Sequence, residues 1–333
     1  MVVSASHWVA LATLALQGQG GAGKPVAAPP SYPFLVEPQD ALWGHLSEGN
    51  FREPVGVFFE PASRELFVAD SKNGLVGIFD AEYTPVFAFG SAATLIEPKA
   101  VFADREGTIF VLDSSRADIR EFSYRGELKA VLPFARPQEK QGEPASSVVV
   151  GAFTRDSEGR WYVIDRELAR AFVYSKERQF LREIPAPQEK GAYDSPVDIA
   201  VSPSGLVAIA DQRGNPAIHV FTSENLLVSA FGGRDIGLSD FTSPAAVAFD
   251  EHDYLFAVDM LRHDVKVFTP AGKFLLHFGG WFAPETRGRA PGELLYPTDI
   301  QIAPDGPVFI AERFGQRVQV FERKPKPAAS PKQ

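Results

Sequence analysis

The sequence predicts an all-β protein, a six-bladed β-propeller of four-stranded blades whose ring is closed by an N-terminal strand. Three observations in the 333 residues predict it: one strand motif recurs six times, an aromatic residue follows each copy at a nearly fixed distance, and no segment keeps a helical period. A repeat made only of short strands cannot bury its apolar faces alone, so neighbouring copies must stack into a common core.

The clearest repeated element is a short apolar strand that ends in an acidic residue. Its six copies are LFVAD ending at Asp70, IFVLD at Asp113, WYVID at Asp165, VAIAD at Asp211, LFAVD at Asp259 and VFIAE at Glu312. An aromatic residue ends the next strand nine residues after five of these acids and ten after the fourth, giving Phe79, Phe122, Tyr174, Phe221, Phe268 and Phe321. Spacing this regular marks a repeated hairpin of β-forming residues joined by turn residues.

Two further strands complete each unit. A proline opens an apolar strand fifteen residues before the acid in four copies and sixteen before it in the first copy, whereas Val150 takes that place in the third. A fourth strand ends about ten residues beyond the aromatic, as at Phe89-Gly90. The predicted blades are 51–90, 96–134, 146–185, 195–233, 243–280 and 296–323.

The sixth unit lacks its fourth strand, because the chain runs from Phe321 almost directly into KPKP. The missing strand is available at the other end of the chain. The segment FLVEPQDALWG (34–44) places Trp43 and Gly44 where other units have Phe-Gly. We therefore expect residues 34–44 to form the outer strand of the last blade, which would remove an exposed sheet edge and close the ring.

The chain ends predict an exported protein. The apolar stretch Trp8 to Leu16 is followed by small residues, although no Lys or Arg precedes it as a standard signal peptide requires. Nine apolar residues are too few to span a bilayer. We expect a signal peptide at 1–22, a Pro-rich linker at 23–33, one propeller domain at 34–323 and a disordered tail at 324–333. The alternative is a cytoplasmic protein with a disordered N-terminal tail.

Composition narrows the function classes. The 45% hydrophobic and 23% charged residues are those of an ordinary globular domain. A formal net charge of −9 makes nucleic acid an unfavourable partner for the whole molecule, because phosphate binding needs cationic surface. Without cysteine the chain forms no disulfide, thiolate metal site or thiol nucleophile, and cysteine usage leaves the redox compartment open.

At this point the repeat resembles a known family, the NHL repeats. The residues that carry the resemblance are FREPVGV (51–57), LFVAD (66–70), RVQVF (317–321) and KFLLHFGG (273–280), and the pattern covers residues 34 to 323. The resemblance implies the six-bladed fold. For function it implies several classes, since propellers of this type include exported proteins, protein-binding modules and RNA-binding modules, and similar six-bladed folds include enzymes.

An enzyme would need a converging set of side chains. Six-bladed enzymes of the gluconolactonase and paraoxonase type, which this fold resembles, hold calcium with oxygen ligands at the inner strands. Two acids, Asp198 and Asp299, occupy the corresponding positions here, two blades apart. They are candidate calcium ligands, and the alternative is that they are isolated polar residues lining a channel. The histidines are scattered by register, and the sequence holds no G-x-S-x-G motif.

The turns between second and third strands are basic, with eight basic residues against three acidic, whereas the turns between first and second strands have three against ten. We expect the basic turns and the blade connections to share one face and to bind an acidic protein or peptide, with arginine contacting carboxylates. The alternative is that these arginines brace neighbouring loops. The long connection 280–296 adds residue types common at interface hot spots. The candidate partner-binding residues are Arg116, Arg166, Arg213, Arg262, Arg313, Arg317, Trp281, Phe282, Arg287 and Arg289.

The sequence therefore favours a non-catalytic exported scaffold that needs no cofactor and binds a protein or peptide partner. A calcium-dependent hydrolase or lactonase with its site in the central channel is the first alternative. An RNA-binding module is the second. The sequence does not define the oligomeric state.

Overall fold

A computed structural model of the protein describes residues 33–45, 49–138, 146–186, 192–280, 290–304 and 306–326. Within these ranges the regular elements are β-strands, and none of the segments forms a helix long and apolar enough to cross a membrane. The predicted signal peptide, the linker up to residue 32 and the tail from residue 327 lie outside the described residues.

The described strands form six four-stranded sheets and one two-stranded sheet. The N-terminal strands are β1 (Phe34–Leu42), β2 (Gly44–His45) and β3 (Gly49–Asn50). Blade 1 holds β4 (Pro54–Glu60), β5 (Glu65–Asp70), β6 (Leu75–Phe79) and β7 (Pro85–Phe89). Blade 2 holds β8 (Pro98–Ala103), β9 (Ile109–Asp113), β10 (Asp118–Phe122) and β11 (Leu128–Leu132). Blade 3 holds β12 (Val150–Arg155), β13 (Trp161–Asp165), β14 (Arg170–Tyr174) and β15 (Phe180–Ile184).

The second half of the chain repeats the same order. Blade 4 holds β16 (Pro196–Val201), β17 (Val207–Asp211), β18 (Ile218–Phe221) and β19 (Leu227–Phe231). Blade 5 holds β20 (Pro244–Phe249), β21 (Leu255–Asp259), β22 (Asp264–Phe268) and β23 (Phe274–Gly279). Blade 6 holds β24 (Pro297–Ile302), β25 (Val308–Glu312) and β26 (Arg317–Pro325), with β1 as its outer strand.

The N-terminal strand closes the ring, as the missing strand in the sequence predicts. Strand β1 pairs antiparallel with β26 from Phe34 opposite Pro325 to Leu42 opposite Val318. The first strand of each blade contacts the first strand of the next, and β24 contacts β4. The two ends of the described chain are therefore joined in one sheet, which removes a free edge from the last blade.

The apolar core lies between the blades. Six clusters of buried residues each combine side chains from two neighbouring blades. The aromatics that end the third strands fill these interfaces, and each is at most 1% exposed: Phe79, Phe122, Tyr174, Phe221, Phe268 and Phe321. Burial of large rings at every blade boundary supplies the main apolar driving force for stacking.

The antiparallel order of the strands divides the turns between two ends of the ring. We call one end the loop face. Its described residues are those of the turns between second and third strands and of the blade connections: 43–45, 49–53, 70–75, 90–97, 113–118, 133–138, 146–149, 165–170, 185–186, 192–195, 211–218, 232–243, 259–264, 280, 290–296 and 312–317. The opposite face carries the remaining turns.

Candidate functional site

The acids that end the second strands are structural groups on the loop face. All six are fully buried. Five of them accept backbone N–H groups from the connection that enters their own blade; Asp259, for example, accepts from Thr242 at 2.8 Å and Ser243 at 2.9 Å. Each such acid therefore anchors an incoming connection, because a buried amide must be hydrogen-bonded.

Several of these acids also pair with a basic side chain. The shortest contacts join Arg136 to Asp165 at 2.5 Å and Arg317 to Glu312 at 2.6 Å. Burial raises the pKa of Glu312 above its ordinary value even though Arg317 opposes the shift. His45 replaces arginine in blade 1, with Nε2 at 3.4 Å from an Asp70 oxygen. In the two arginine–carboxylate pairs, opposite charges held at these distances inside the fold neutralise each other and leave little charge for a partner.

Three of the predicted partner-binding arginines lie on blades 2 to 4. Arg116 donates to Asp113 at 2.8 Å and to the Ala92 carbonyl at 3.2 Å. Arg166 is exposed and donates to the Ser114 carbonyl at 3.3 Å. Arg213 is exposed, and no side-chain partner is found for it among the described residues. Of these three, Arg213 is therefore the one that does not act as a brace among the described residues.

The other three described arginines lie on blades 5 and 6. Arg262 donates to the carbonyls of Asp235 and Gly237, both at 2.7 Å. Arg313 pairs with Glu53 at 2.9 Å, across the boundary between blades 6 and 1. Arg317 is 2% exposed and lies inside the fold rather than on its surface. The structure therefore uses most of the predicted arginines as braces, the alternative that the sequence left open.

The remaining predicted partner-binding residues, Trp281, Phe282, Arg287 and Arg289, lie outside the described residues. The chain enters this segment at Gly280 and leaves it at Ala290, and both of these residues belong to the loop face.

The loop face exposes large apolar side chains that the sequence analysis did not single out. Five of them follow blades 4, 5, 6 and the entry to blade 1, and we call them the apolar arc: Ile236 (90% exposed), Leu238 (63%), Phe314 (50%), Leu261 (47%) and Trp43 (45%). Exposed apolar groups in such a series are typical of interaction surfaces. The available signal was the position of Ile236 and Leu238 in residues 232–240, which are otherwise Gly, Asp, Arg and Ser.

Several contacts join neighbouring turns and connections along the apolar arc. Arg262, next to Leu261, holds the backbone on both sides of Ile236. The ring of Tyr296 lies 4.7 Å from that of His263 and 4.9 Å from that of Phe314. On the far side, the Arg317 guanidinium lies 5.4 Å from the Trp43 ring. These contacts order the turns and connections that carry Ile236, Phe314 and Trp43.

The two predicted channel acids lie at the centre of the ring. They line a cavity of about 190 Å³ whose walls come from the first strands of all six blades. Asp198 accepts the N–H of Val247 at 2.9 Å, and Asp299 accepts the N–H of Val57 at 2.8 Å. Each carboxyl thus ties its own blade to the next one.

A lysine joins this group. Lys99 follows the proline of β8, in the irregularity where the register shifts between Pro98 and Ala100, and its ammonium donates to the Gly151 carbonyl at 2.6 Å. Lys99, Asp198 and Asp299 belong to blades 2, 4 and 6, and each bonds the backbone of the following blade. We call them the channel triad. The sequence analysis compared the position of Asp198 and Asp299, which lies one residue later in the first strand, and so missed Lys99.

Burial shapes the charges of the channel triad. It raises the pKa of Asp198 to about 6 and the pKa of Asp299 to about 8, the latter also because the Asp198 charge is nearby. Burial also lowers the pKa of Lys99, although both acids oppose this shift. The triad therefore favours a state in which Asp299 keeps its proton near neutral pH.

These residues do not fit a calcium ion. Calcium requires roughly six to eight oxygen ligands, and ionised carboxylates supply its strongest ones. Here one oxygen of Asp198 and both oxygens of Asp299 accept backbone N–H groups, and the Lys99 ammonium acts electrostatically on both acids. We therefore derive no chemistry through calcium at Asp198 and Asp299.

A second group of possible metal donors lies on the opposite face. Oxygen or nitrogen atoms of Asp250, Glu251 and His252 lie within 4.8 Å of one another. Arg323 contacts both carboxylates, at 3.5 Å and 2.9 Å. The guanidinium supplies the positive charge that a metal would bring, so this group has a structural explanation.

The comparisons with known proteins bear on the fold. No family model matches the chain, and no curated protein matches it by sequence. Among solved structures, a virginiamycin B lyase from Staphylococcus aureus is similar over 87% of this chain and 99% of its own, with a TM-score of 0.56 and 11% identity. A streptogramin B lyase gives 87% and 98%, with a TM-score of 0.57 and 14% identity. A protein of unknown function from Bacteroides thetaiotaomicron gives 86% and 73%, with a TM-score of 0.59 and 12% identity. At such identities the likeness shows the six-bladed propeller fold alone.

Proposed function

We propose that this protein is a non-catalytic scaffold built of NHL-type blades, and that it binds a protein or peptide partner through its loop face. The apolar arc is the observation that carries the proposal. Five large apolar side chains are exposed on adjoining turns and connections of one face, and burying them against a partner would release ordered water.

The organisation of the loop face supports the same conclusion. Its buried acids anchor the connections, and arginines such as Arg262 hold loop carbonyls. Loops that are already ordered lose little conformational entropy on binding. A rigid ring that carries ordered loops and exposed apolar side chains is suited to recognition.

To test the proposal, wild type and two surface variants are each used to capture proteins from the cell compartment that holds the protein, and the captured proteins are compared. The first variant, Ile236→Asp with Leu261→Asp, alters the apolar arc. The second, Leu226→Asp with Val228→Asp, is a control on exposed side chains of the opposite face and the outer strand β19. A protein that wild type and the control capture, and that the first variant does not, would support the proposal. Equal capture by all three proteins would contradict it, and enrichment of RNA would favour an RNA-binding role.

We also propose that the protein is exported, because the apolar segment Trp8 to Leu16 and the small residues after it have the order of a signal peptide. Mass spectrometry of the protein purified from its native source measures the mature N-terminus. A first residue near position 23 is expected, and an intact Met1 would contradict export by this signal.

A second candidate function is an enzyme with its site in the central channel. One observation favours it: a cavity of about 190 Å³ lined by two acids whose pKa values are raised. Turnover of small esters or lactones that is abolished in both Asp198→Asn and Asp299→Asn, with unchanged folding, would establish this function. Turnover that survives in both variants would exclude the two acids from catalysis.

A further inference from the structure

We infer that the connection 232–243 is a pre-formed knob, and that the partner is a folded protein domain which receives Ile236 in an apolar pocket bordered by carboxylates. This inference rests on the proposed function, since it names the kind of partner that the loop face accepts. Three observations carry it: the exposure of the knob, the bonds that hold it, and the charges beside it.

The exposure indicates a projection rather than a groove. Ile236 is 90% exposed and Leu238 is 63% exposed, and both exceed every other large apolar side chain on the described loop face. A side chain with nine tenths of its surface in water can be covered only by a concave partner. A linear peptide needs a groove in its receptor, whereas a folded domain can supply a pocket.

The bonds fix the knob before any partner arrives. Asp240 accepts the N–H groups of Gly233 and Gly237, both at 3.0 Å, and the Phe241 N–H donates to the Gly233 carbonyl at 2.9 Å. A Cβ at position 237 would lie 2.6 Å from an Asp240 oxygen, so a larger residue there would displace the carboxylate that accepts these N–H groups. The loop therefore bonds to itself across its base.

Two arginines hold the knob from outside. Arg262 donates to the carbonyls of Asp235 and Gly237 at 2.7 Å, so it grips the backbone on both sides of Ile236. Arg234 anchors the base through the carbonyls of Gly214 at 2.9 Å and Gln212. A side chain presented by a fixed backbone costs little entropy to bury, which is the property of an interface anchor.

The charges beside the knob indicate the rim of the pocket. Arg213 lies at the base of the knob, because Arg234 donates to the carbonyls of its two chain neighbours, Gln212 and Gly214. Arg213 is exposed, and no side-chain partner is found for it among the described residues. The adjacent exposed acid, Asp235, accepts the N–H of Ile236 with one carboxylate oxygen. A carboxylate on the partner would complement the Arg213 guanidinium.

The test is site-specific cross-linking with the full-length chain. The photoreactive amino acid p-benzoylphenylalanine replaces Ile236 in one protein and Leu226, which is 67% exposed on the opposite face, in a control. Both are irradiated with the compartment fraction, and mass spectrometry identifies the cross-linked residue of the partner. We expect an adduct from position 236 alone, to an apolar residue of a folded domain with Asp or Glu close by.

Affinity measurements with the identified partner complete the test. Ile236→Asp is expected to weaken binding by about a hundredfold and Ile236→Val by less than about threefold, because valine preserves most of the buried surface. A cross-link into an unfolded segment or a basic site would overturn the inference while leaving the proposed function intact. So would an Ile236→Asp variant that binds within twofold of wild type. If neither wild type nor any variant captures a protein, the proposed function fails, and this inference fails with it.

Discussion

The loop face and the central channel are the two regions in which the sequence places function, and in both the charged groups bond to the protein's own backbone. On the loop face, Arg262 holds carbonyls of a neighbouring connection. In the channel, Asp198 and Asp299 each accept an N–H group from the next blade. In both regions, charged side chains at recurrent positions therefore stabilise the fold. Only a charged side chain without such a bond is available for function.

The two regions differ in what remains accessible. The channel holds a cavity of about 190 Å³ whose lining includes the charged residues Arg155, Asp198 and Asp299, whereas the described loop face exposes the five large apolar side chains of the apolar arc, and Ile96, to water. A cavity of this volume limits a ligand by size, whereas an open apolar surface fits another protein. This difference is the reason why we assign recognition to the loop face.

The largest effect is expected from removing the strand that holds both regions in one ring. Deleting residues 1–42 would remove β1 and leave β26 as an unpaired edge. We expect the melting temperature to fall by more than about 10 °C, since a loss of several kcal/mol lowers it by a few degrees per kcal/mol. Differential scanning calorimetry measures the change. Deleting residues 1–30, which spares β1, is the control, and equal melting temperatures for both deletions would contradict ring closure by this strand.

The next effect separates bracing arginines from exposed ones. Arg317→Leu leaves Glu312 buried without its cation, and we expect the free energy of unfolding to fall by about 3–5 kcal/mol. Arg313→Leu removes an exposed pair with Glu53 and should cost less than about 1 kcal/mol. Denaturant unfolding measures both. Similar losses of unfolding free energy in the two variants would show that the buried Arg317 does not stabilise the fold more than the exposed Arg313 does.

A pH effect is expected in the channel. Burial raises the pKa of Asp299 to about 8, whereas the unfolded carboxyl has its ordinary value near 3.8. Between these values the folded protein holds a proton that the unfolded chain has lost, so the free energy of unfolding falls as pH rises from about 4 to 8. Asp299→Asn keeps an oxygen for the Val57 N–H and cannot ionise. We expect its melting temperature to fall less between pH 5 and pH 8 than that of wild type.

The same experiment on Asp198→Asn is a matched comparison, because burial raises the pKa of Asp198 only to about 6. Its effect should therefore be complete at a lower pH than that of Asp299→Asn. Identical pH profiles for wild type and both variants would contradict the protonation state that we assign to the channel triad.

The smallest effect on stability is expected from substitutions of Arg262. These substitutions show instead how this arginine contributes to partner binding. Arg262→Lys keeps the positive charge but cannot donate to the Asp235 and Gly237 carbonyls together. If Arg262 braces the knob, lysine should weaken partner binding about as much as alanine does. If its charge contacts the partner, lysine should retain most of the affinity. Titration calorimetry with the captured partner distinguishes the two cases, and the melting temperatures should change by less than about 2 °C.

Much of the fold could be predicted because its signal is periodic. The acids that end the second strands recur with aromatics at a nearly fixed distance, and the structure places both types in the blade interiors. Ring closure could be predicted from a missing strand at one end and a spare one, residues 34–44, at the other. Repetition makes each copy a check on the others, so chance matches are excluded.

The candidate site could be predicted only in part, because solvent exposure is not periodic. Arg317 and Arg313 lie in the same turn and are alike in sequence, but Arg317 begins β26 and points to the buried Glu312. Lys99 lies one residue before the position that Asp198 and Asp299 occupy in their strands, so a comparison of that position alone did not include it. Ile236 is in a loop of turn residues, and only three-dimensional packing shows that nothing within the described chain covers it.

The central claim is that the apolar arc of the loop face binds a partner protein. The most direct measurement is the dissociation constant of the captured partner for wild type, for Ile236→Asp with Leu261→Asp, and for the control Leu226→Asp with Val228→Asp. We predict that the arc variant binds at least about a hundredfold more weakly, with an unchanged melting temperature, and that the control binds like wild type. Undiminished binding by a folded arc variant would contradict the claim.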